Sequence, residues 1–241
     1  NKIITPGEKE TIAFHEAGHA LVSWLLQYAS PLVKVTIVPR GQSLGAAWYL
    51  PEERQITTTE QILDEMCAAL GGRAAEQVIF EKISTGALSD LEKVTKQAYA
   101  MVTVYGLNEK IGNISFYDSS GEPGFTKPYS EQTAKVIDEE VSKIVEKAYR
   151  RALDILELNK EKLRNLAKAL LDREVIFKED LKMIVGERPF PDLQEAAQKA
   201  AEEAGVKRAA AKAEKKELAD SQQAESDAAD AADAAEKSKA S

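Results

Sequence analysis

The composition of the 241-residue chain changes at Pro191. Beyond that residue alanine is the most common residue, no aromatic residue occurs, and larger aliphatic side chains are rare. Such a segment cannot bury enough apolar surface to offset the conformational entropy lost on folding. We therefore predict one folded domain over residues 1–190 and a disordered tail over residues 191–241.

Charge and hydropathy exclude several classes of protein. Lys and Arg number 32 and Asp and Glu number 40, which gives a net charge of −8 and predicts no nucleic-acid partner. The longest apolar run, residues 20–26, is far shorter than the ~20 residues of a membrane-spanning helix. Because Cys67 is the single cysteine and no secretory signal begins the sequence, we expect a soluble chain in a reducing compartment.

Hydrophobic periodicity predicts a mainly α-helical (α+β) domain with one small β-sheet. Long segments repeat apolar residues at helical spacing. Short segments rich in β-branched or aromatic residues show alternation instead, and Gly and Pro residues separate them. The predicted helices are residues 8–28, 60–70, 74–80, 88–105, 130–158, 160–171 and 178–185, and the predicted strands are residues 33–38, 46–50 and 113–117.

The two histidines of the chain, His15 and His19, lie four residues apart with Glu16 between them. On a helix this spacing puts both imidazoles on one face, where they can bind one metal ion. The neighbouring carboxylate can then accept a proton from a water that the metal activates. The segment matches the H-E-x-x-H pattern of zinc hydrolases, so we predict His15 and His19 as zinc ligands and Glu16 as the general base.

The third ligand is left open by the residues alone. No Asp or Glu occurs between residues 20 and 51 and there is no third histidine, which excludes two common arrangements of this motif. Three side chains remain as candidates: Asp90 after a predicted loop, Glu76 on a predicted helix, and Cys67.

Four sequence blocks follow one another along the predicted domain: FHEAGHA at 14–20, KVTIVPRG at 34–41 with LG at 44–45, GGRAAE at 71–76, and STGA at 84–87 leading to Asp90. In this order they resemble the peptidase domain of the FtsH family, the membrane-anchored, ATP-dependent AAA zinc proteases of bacteria, mitochondria and chloroplasts. The resemblance extends from about residue 6 to residue 189.

The resemblance implies a zinc endopeptidase that hydrolyses unfolded or membrane-derived polypeptides. It implies one Zn²⁺ per chain on His15, His19 and Asp90. It makes Glu16 the catalytic base and Glu76 a carboxylate that orients a histidine without binding the metal. It also implies assembly into a homo-oligomer, in this family a hexamer.

No phosphate-binding G-x-x-x-x-G-K-[ST] loop occurs in the sequence. ATP is therefore expected to act only through an ATPase domain, which we place upstream of Asn1 together with the membrane anchor. The resemblance implies a membrane-anchored full protein whose peptidase domain faces the bacterial cytoplasm, or a mitochondrial or chloroplast compartment. Contact with the membrane is expected only through those other regions.

The second predicted strand is a candidate for substrate binding. If it is an edge strand beside the zinc helix, an extended polypeptide can pair with it through main-chain hydrogen bonds, which gives weak sequence preference. The predicted substrate-binding residues are Ala46, Ala47, Trp48, Tyr49 and Leu50.

Two other functions remain as alternatives. An amidase with the same motif takes a cysteine ligand, which in this chain could only be Cys67. A helical oligomerisation module could hold a structural metal, although Glu16 argues against it because a closed structural site needs no base.

Overall fold

The structure is a computed structural model, and it describes residues 4–30, 32–39, 45–49, 56–117 and 128–191. Within these residues it confirms a mainly α-helical fold with one small sheet. None of the described helices combines the length and hydrophobicity that crossing a lipid bilayer requires. The elements are α1 (Pro6–Leu25), β1 (Leu32–Thr36), β2 (Ala46–Tyr49), α2 (Thr59–Ala69), α3 (Gly71–Phe80), a 3-10 turn (Thr85–Ala87), α4 (Leu88–Thr103), α5 (Glu131–Leu158), α6 (Lys160–Arg173), β3 (Val175–Phe177) and α7 (Lys178–Val185).

Two predictions fall on residues outside this description. Leu50, the last residue of the predicted substrate strand, is one of them. The tail beyond Pro191 is the other, so its disorder stays a prediction.

Helix α1 runs through the middle of the domain. It begins with a capping box, in which the Thr5 hydroxyl accepts from the Glu8 N–H and the Glu8 carboxylate accepts from the Thr5 N–H. Every residue from Ala13 to Trp24 is buried, so the helix is enclosed on all sides over more than three turns. The polar residues in this stretch therefore lie in the core, where they need partners.

Helices α1 and α3 cross in direct backbone contact. A Cβ built on Gly18 would lie 2.3 Å from the Gly71 carbonyl oxygen, and one built on Gly71 would lie 2.7 Å from the Gly18 oxygen. Only glycine at both positions allows this approach. The crossing brings the middle of α1 against the start of α3.

Helix α2 is held by a buried carboxylate. Asp64 accepts hydrogen bonds from the Arg151 guanidinium of α5 at 2.6 Å and from the Tyr28 N–H at 3.0 Å. The charge is thereby paired and hydrogen-bonded, as a buried carboxylate requires. These contacts tie α2 to α5 and to the segment that follows α1.

The sheet is antiparallel, with strand order β2-β1-β3. Val35 pairs with Ala47 on one side and with Ile176 on the other. The first two predicted strands are confirmed, whereas β3 was not predicted. The strand predicted over residues 113–117 is wrong: that segment is not extended in a sheet, and its Phe116 N–H donates to the Thr103 carbonyl at the end of α4.

The described residues form two apolar clusters. One is built from α1, α3, α6, α7 and the sheet, together with Cys67 and Ala68 of α2 and the later part of α5. The other is built from α2, α4 and the earlier part of α5. Tyr149 of α5 packs against both clusters. The site described below takes residues from elements of both.

Candidate metal centre

His15 and His19 lie one turn apart on α1, and both imidazoles are buried. Their Nε2 atoms are 3.1 Å apart. Asp90, in the first turn of α4, places its Oδ2 at 3.4 Å from the His15 Nε2 and 3.5 Å from the His19 Nε2. Three potential ligand atoms from two helices thus form a nearly equilateral triangle.

The two remaining ring nitrogens are also bonded. His15 Nδ1 lies 2.7 Å from a Glu76 carboxylate oxygen, and His19 Nδ1 lies 3.0 Å from the Ala68 carbonyl oxygen. A carbonyl and a carboxylate accept hydrogen bonds, so each Nδ1 carries the proton. In the neutral imidazoles both Nε2 lone pairs then point into the triangle.

The triangle fits a tetrahedral metal ion. Zinc binds imidazole nitrogen and carboxylate oxygen at about 2.0–2.2 Å, which separates neighbouring ligand atoms by roughly 3.3–3.5 Å. The observed separations of 3.4 and 3.5 Å match this spacing, and the third, 3.1 Å, is slightly shorter. Two lone pairs and a carboxylate oxygen also repel one another, and a cation between them removes that repulsion.

The charges around the triangle favour a positive charge between its three atoms, whether that charge is a proton or a metal ion. Burial works to lower the pKa of His15, but hydrogen bonds to Asp90 and Glu76 and the charge of Glu16 raise it to about 9. Burial works to raise the pKa of Asp90, but the two imidazoles hold it well below its usual value. The negative charge of Asp90 is also favoured by its place in the first turn of α4.

The Ala68 carbonyl is available because α2 ends just after it. In a continuous helix this carbonyl would accept from residue 72, but α2 ends at Ala69 and α3 begins at Gly71. The helix break thus provides the acceptor that fixes the His19 ring. On the other side of the break, a Cβ on Gly72 would lie 2.4 Å from the His15 Nε2, so a larger residue there would occupy the position of the ring.

Both carboxylate oxygens of Glu76 accept hydrogen bonds from groups outside the triangle of candidate ligand atoms. One oxygen bonds His15 Nδ1, and the other accepts from the Ser84 N–H at 2.7 Å. Burial works to raise the pKa of Glu76, but these bonds lower it below its usual value. Because Ser84 also caps the 3-10 turn that leads to Asp90, Glu76 joins the segments that carry His15 and Asp90.

Glu16 lies beside the triangle with 7% of its surface exposed. Burial raises the pKa of its carboxyl above the usual value, while the nearby His19 and His15 act in the opposite sense. Gly45, the residue before β2, lies against the Glu16 side chain. A buried carboxyl with a raised pKa is suited to hold a proton temporarily.

Cys67 lies apart from the triangle. Among the described residues, the one group of His, Cys, Asp and Glu side chains that could hold a metal is His15, His19 and Asp90. Cys67 is fully buried in the apolar cluster around α1, and burial raises its thiol pKa to about 12. A thiol in that state is a poor source of the thiolate that metals bind.

The predicted substrate strand corresponds to β2. The structure describes its residues Ala46, Ala47, Trp48 and Tyr49. In the described part of the sheet β2 is an edge strand, with β1 as its one neighbour. The Tyr49 hydroxyl accepts a hydrogen bond from Ser23 of α1 at 3.2 Å, so this edge lies alongside the helix that carries both histidines.

Comparison with known proteins places this arrangement in a family. The model of peptidase family M41 matches residues 2–184. This chain belongs to peptidase family M41. The FtsH-type resemblance of the sequence is thereby confirmed.

Several curated relatives share this M41 domain. An ATP-dependent zinc metalloprotease FtsH of Parabacteroides distasonis is 63% identical over 191 residues, which are 79% of this chain and 28% of that protein. A protein of the same name from Karelsulcia muelleri is 54% identical over 77% of this chain and 30% of its own length. The mouse mitochondrial inner membrane m-AAA protease component AFG3L1 is 48% identical over 79% of this chain and 24% of its own length.

The chain thus spans less than a third of the length of these M41 relatives. Their names bear out the expectation of a metallopeptidase domain that uses zinc. Neither alternative, a Cys-ligated amidase or a structural oligomerisation module, is supported by them.

Several parts of the M41 site were not predicted from the sequence. The Ala68 carbonyl and the Ser84 N–H are main-chain groups, which carry no side-chain signal. Gly72 and Gly45 belong to two of the four sequence blocks, but the sequence does not show which side chains lie against them. Their absent side chains are what make room for His15 and Glu16.

Proposed function

We propose that this chain is the zinc endopeptidase domain of an FtsH-like ATP-dependent protease. Its reaction is hydrolysis of peptide bonds in unfolded or membrane-derived polypeptides, with His15, His19 and Asp90 holding one Zn²⁺ and Glu16 as general base. The observation that carries the proposal is the triangle of Nε2, Nε2 and Oδ2 atoms at zinc-ligand spacing, with both Nδ1 protons fixed by other groups.

The residues divide the chemistry between them. A zinc ion, when bound, lowers the pKa of water and polarises a peptide carbonyl. Glu16 accepts the proton that the attacking water loses and delivers it to the leaving amine. Burial of Glu16, which raises its pKa, favours its protonated form between these two transfers. Glu76 keeps the His15 ring oriented and does not contact the metal.

The edge of β2 is the proposed substrate-binding strand. An extended polypeptide would add to it as a further antiparallel or parallel strand, with main-chain hydrogen bonds supplying the affinity. Support comes from its edge position and from its contact with α1 through Tyr49 and Ser23. Recognition of the main chain explains how one site could accept many unfolded sequences.

The remaining proposals concern the full protein. We infer an ATPase domain and a membrane anchor in other parts of that protein, assembly into a homo-hexamer, and a peptidase domain facing the bacterial cytoplasm or the equivalent organelle compartment. Support comes from relatives named ATP-dependent proteases, one of them a mitochondrial inner membrane component. Residues 1–190 are the proposed peptidase domain, and residues 191–241 the proposed disordered tail.

The function is tested by replacing the base. The variant Glu16→Gln keeps the shape of the side chain and all three proposed zinc ligands but cannot accept a proton. We expect one zinc per chain by mass spectrometry and cleavage of unfolded casein reduced by about 100- to 10,000-fold. Glu10→Gln, an exposed position on the same helix, is the matched control and should cleave like the wild type.

Two results would contradict the proposal. Cleavage by Glu16→Gln within threefold of the wild-type rate would remove Glu16 from the reaction. Wild-type protein that binds zinc but cleaves casein in no assembled form would favour a structural metal.

A further inference from the structure

Gly45, the residue before β2, lies directly against the Glu16 side chain. A Cβ built on Gly45 would lie 2.7 Å from Glu16 Oε1, 2.8 Å from Cγ and 3.0 Å from Cδ. Gly45 itself is buried. The space that a side chain at this position would need is therefore already filled by the Glu16 carboxylate.

The kind of atom that Gly45 faces sets it apart from the other close glycines. Gly18 and Gly71 face each other's backbones, so a side chain there would force the two helices apart. Gly72 faces the ring of a metal ligand, His15. The three nearest atoms to Gly45 all belong to the rotatable side chain of Glu16. A methyl group at position 45 would therefore displace the carboxylate and leave the helices and ligands in place.

A second contact fixes β2 along α1. At the far end of the strand the Tyr49 hydroxyl accepts from Ser23, which lies seven residues after Glu16 and so on the same side of the helix. Seven helical residues rise about 10 Å, and four strand residues about 13 Å. Gly45 on Glu16 and Tyr49 on Ser23 thus hold the strand alongside the helix at both ends.

We propose that Gly45 is a positioning residue that sets the place of the Glu16 carboxylate and links it to the substrate-binding strand. This inference rests on the proposed peptidase function. Glu16 is buried, so a displaced carboxylate must rotate within the core and cannot extend into solvent. A misplacement of about 1 Å can cost roughly 100-fold in rate when reacting groups must be aligned.

The test compares Gly45→Ala with Gly7→Ala in the full 241-residue chain. Gly7 lies in the first turn of α1, and a Cβ there would meet nothing within 4 Å, so the control makes the same chemical change at a position that has room for the methyl group. With a quenched fluorescent peptide derived from casein, we expect Gly45→Ala to lower kcat about 10- to 100-fold. KM should stay within twofold, and zinc content should stay at one per chain. Gly7→Ala should match the wild type in all three.

A second variant separates displacement of Glu16 from general damage. In Glu16→Asp the carboxylate is one methylene shorter and vacates the space beside residue 45. In that background Gly45→Ala should lower kcat by less than threefold. A further loss as large as in the wild-type background would overturn the proposal, as would zinc loss or a raised KM with unchanged kcat in Gly45→Ala alone.

Failure of the proposed peptidase function can be distinguished from failure of the positioning role of Gly45. If the wild-type chain with zinc bound cleaves no peptide, the peptidase assignment fails. The effect of Gly45 is then read from crystal structures of the wild type and Gly45→Ala. A Glu16 carboxylate displaced by about 1 Å or more, with His15 and His19 unmoved, supports the positioning role. An unmoved carboxylate overturns it.

Discussion

Each imidazole of the metal centre is oriented from a different part of the fold. The His15 ring is held by the Glu76 carboxylate on α3, and the His19 ring by the Ala68 carbonyl near the end of α2. Both bonds fix the proton on Nδ1 and leave Nε2 as the ligand atom. Orientation of the ligands therefore depends on the neighbouring helices more than on α1 itself.

The metal ligand set is tested by Asp90→Ala and Glu76→Gln. Loss of Asp90 removes a ligand atom, so zinc should be largely absent from the purified chain. Glu76→Gln keeps a hydrogen-bond acceptor for His15 but removes its charge, and zinc affinity should fall about 10- to 100-fold with one ion still bound at saturation. Competition with a chromophoric chelator measures both.

The matched controls for these variants are exposed residues of the same type. Asp154→Ala on α5 and Glu60→Gln on α2 should bind zinc like the wild type. Full zinc occupancy in Asp90→Ala would show that the third ligand is a different residue and would return Glu76 and Cys67 to consideration.

The sequence predicts side chains better than it predicts their surroundings. His15, Glu16 and His19 could be read from spacing because one helix sets their geometry. Asp90 could not be derived in the same way, since its distance from the two histidines depends on how α4 packs against α1. The role of the Ala68 carbonyl could not be predicted for a different reason. It depends on where the helix ends, and a main-chain carbonyl is present in every residue type.

Among the helices and strands, the longer elements could be predicted from the sequence and the shortest could not. Long helices such as α5 repeat their apolar pattern many times, and α5 is observed over Glu131–Leu158, within one residue of the predicted range. Strand β3 has three residues, too few for alternation to register, and it forms by pairing with β1. In the segment wrongly predicted as a strand, the Phe116 ring packs edge-on against the Tyr129 ring, with the ring centroids 5.0 Å apart, while Ile114 is exposed. The alternation of apolar and polar residues in this segment thus comes from one packed side chain, Phe116, and not from a strand.

The edge strand offers a test of main-chain recognition. Successive N–H groups of a strand point to opposite edges, so of Ala46 and Ala47 one donates toward β1 and the other toward the open edge. Proline at the outward position removes one donor to a bound polypeptide and leaves the pairing with β1 intact. We expect that variant to fold, to retain zinc and to lose at least tenfold in kcat/KM for casein peptides.

Both substitutions, Ala46→Pro and Ala47→Pro, should therefore be made. Circular dichroism and zinc content identify which of them keeps the fold. Unchanged peptide cleavage by the folded variant would exclude β2 as the substrate strand.

In the described domain, the candidate metal centre takes its residues from elements of both apolar clusters. Both histidines come from α1, which belongs to the cluster that includes the sheet, and Asp90 comes from α4, which belongs to the other. An ion bound by all three would connect the clusters and would bind only the folded chain. Such binding adds its free energy to that of folding.

Metal removal should therefore lower the thermal stability of the chain. We expect the Tm of the zinc-loaded protein to fall on addition of EDTA and to recover with excess zinc, since stabilisation grows with the ratio of free zinc to Kd. Scanning calorimetry of the wild type and Asp90→Ala measures this. The variant should melt near the temperature of the EDTA-treated wild type, and EDTA should not change its Tm. A wild-type Tm that EDTA leaves unchanged would contradict a bridging ion.

The glycine crossing of α1 and α3 acts as a pivot for the site. Gly18 and Gly71 meet backbone to backbone, and the side-chain atom nearest to Gly18 is the Ala75 methyl, which has no rotamer change that could widen the gap. Relative motion of the two helices is then mostly rotation about the crossing, and displacement grows with distance from it. His19 is the residue after one pivot glycine, and Gly72, against which the His15 ring lies, follows the other. Residues near the crossing, His15 and His19 among them, are therefore displaced least when the two helices rotate against each other.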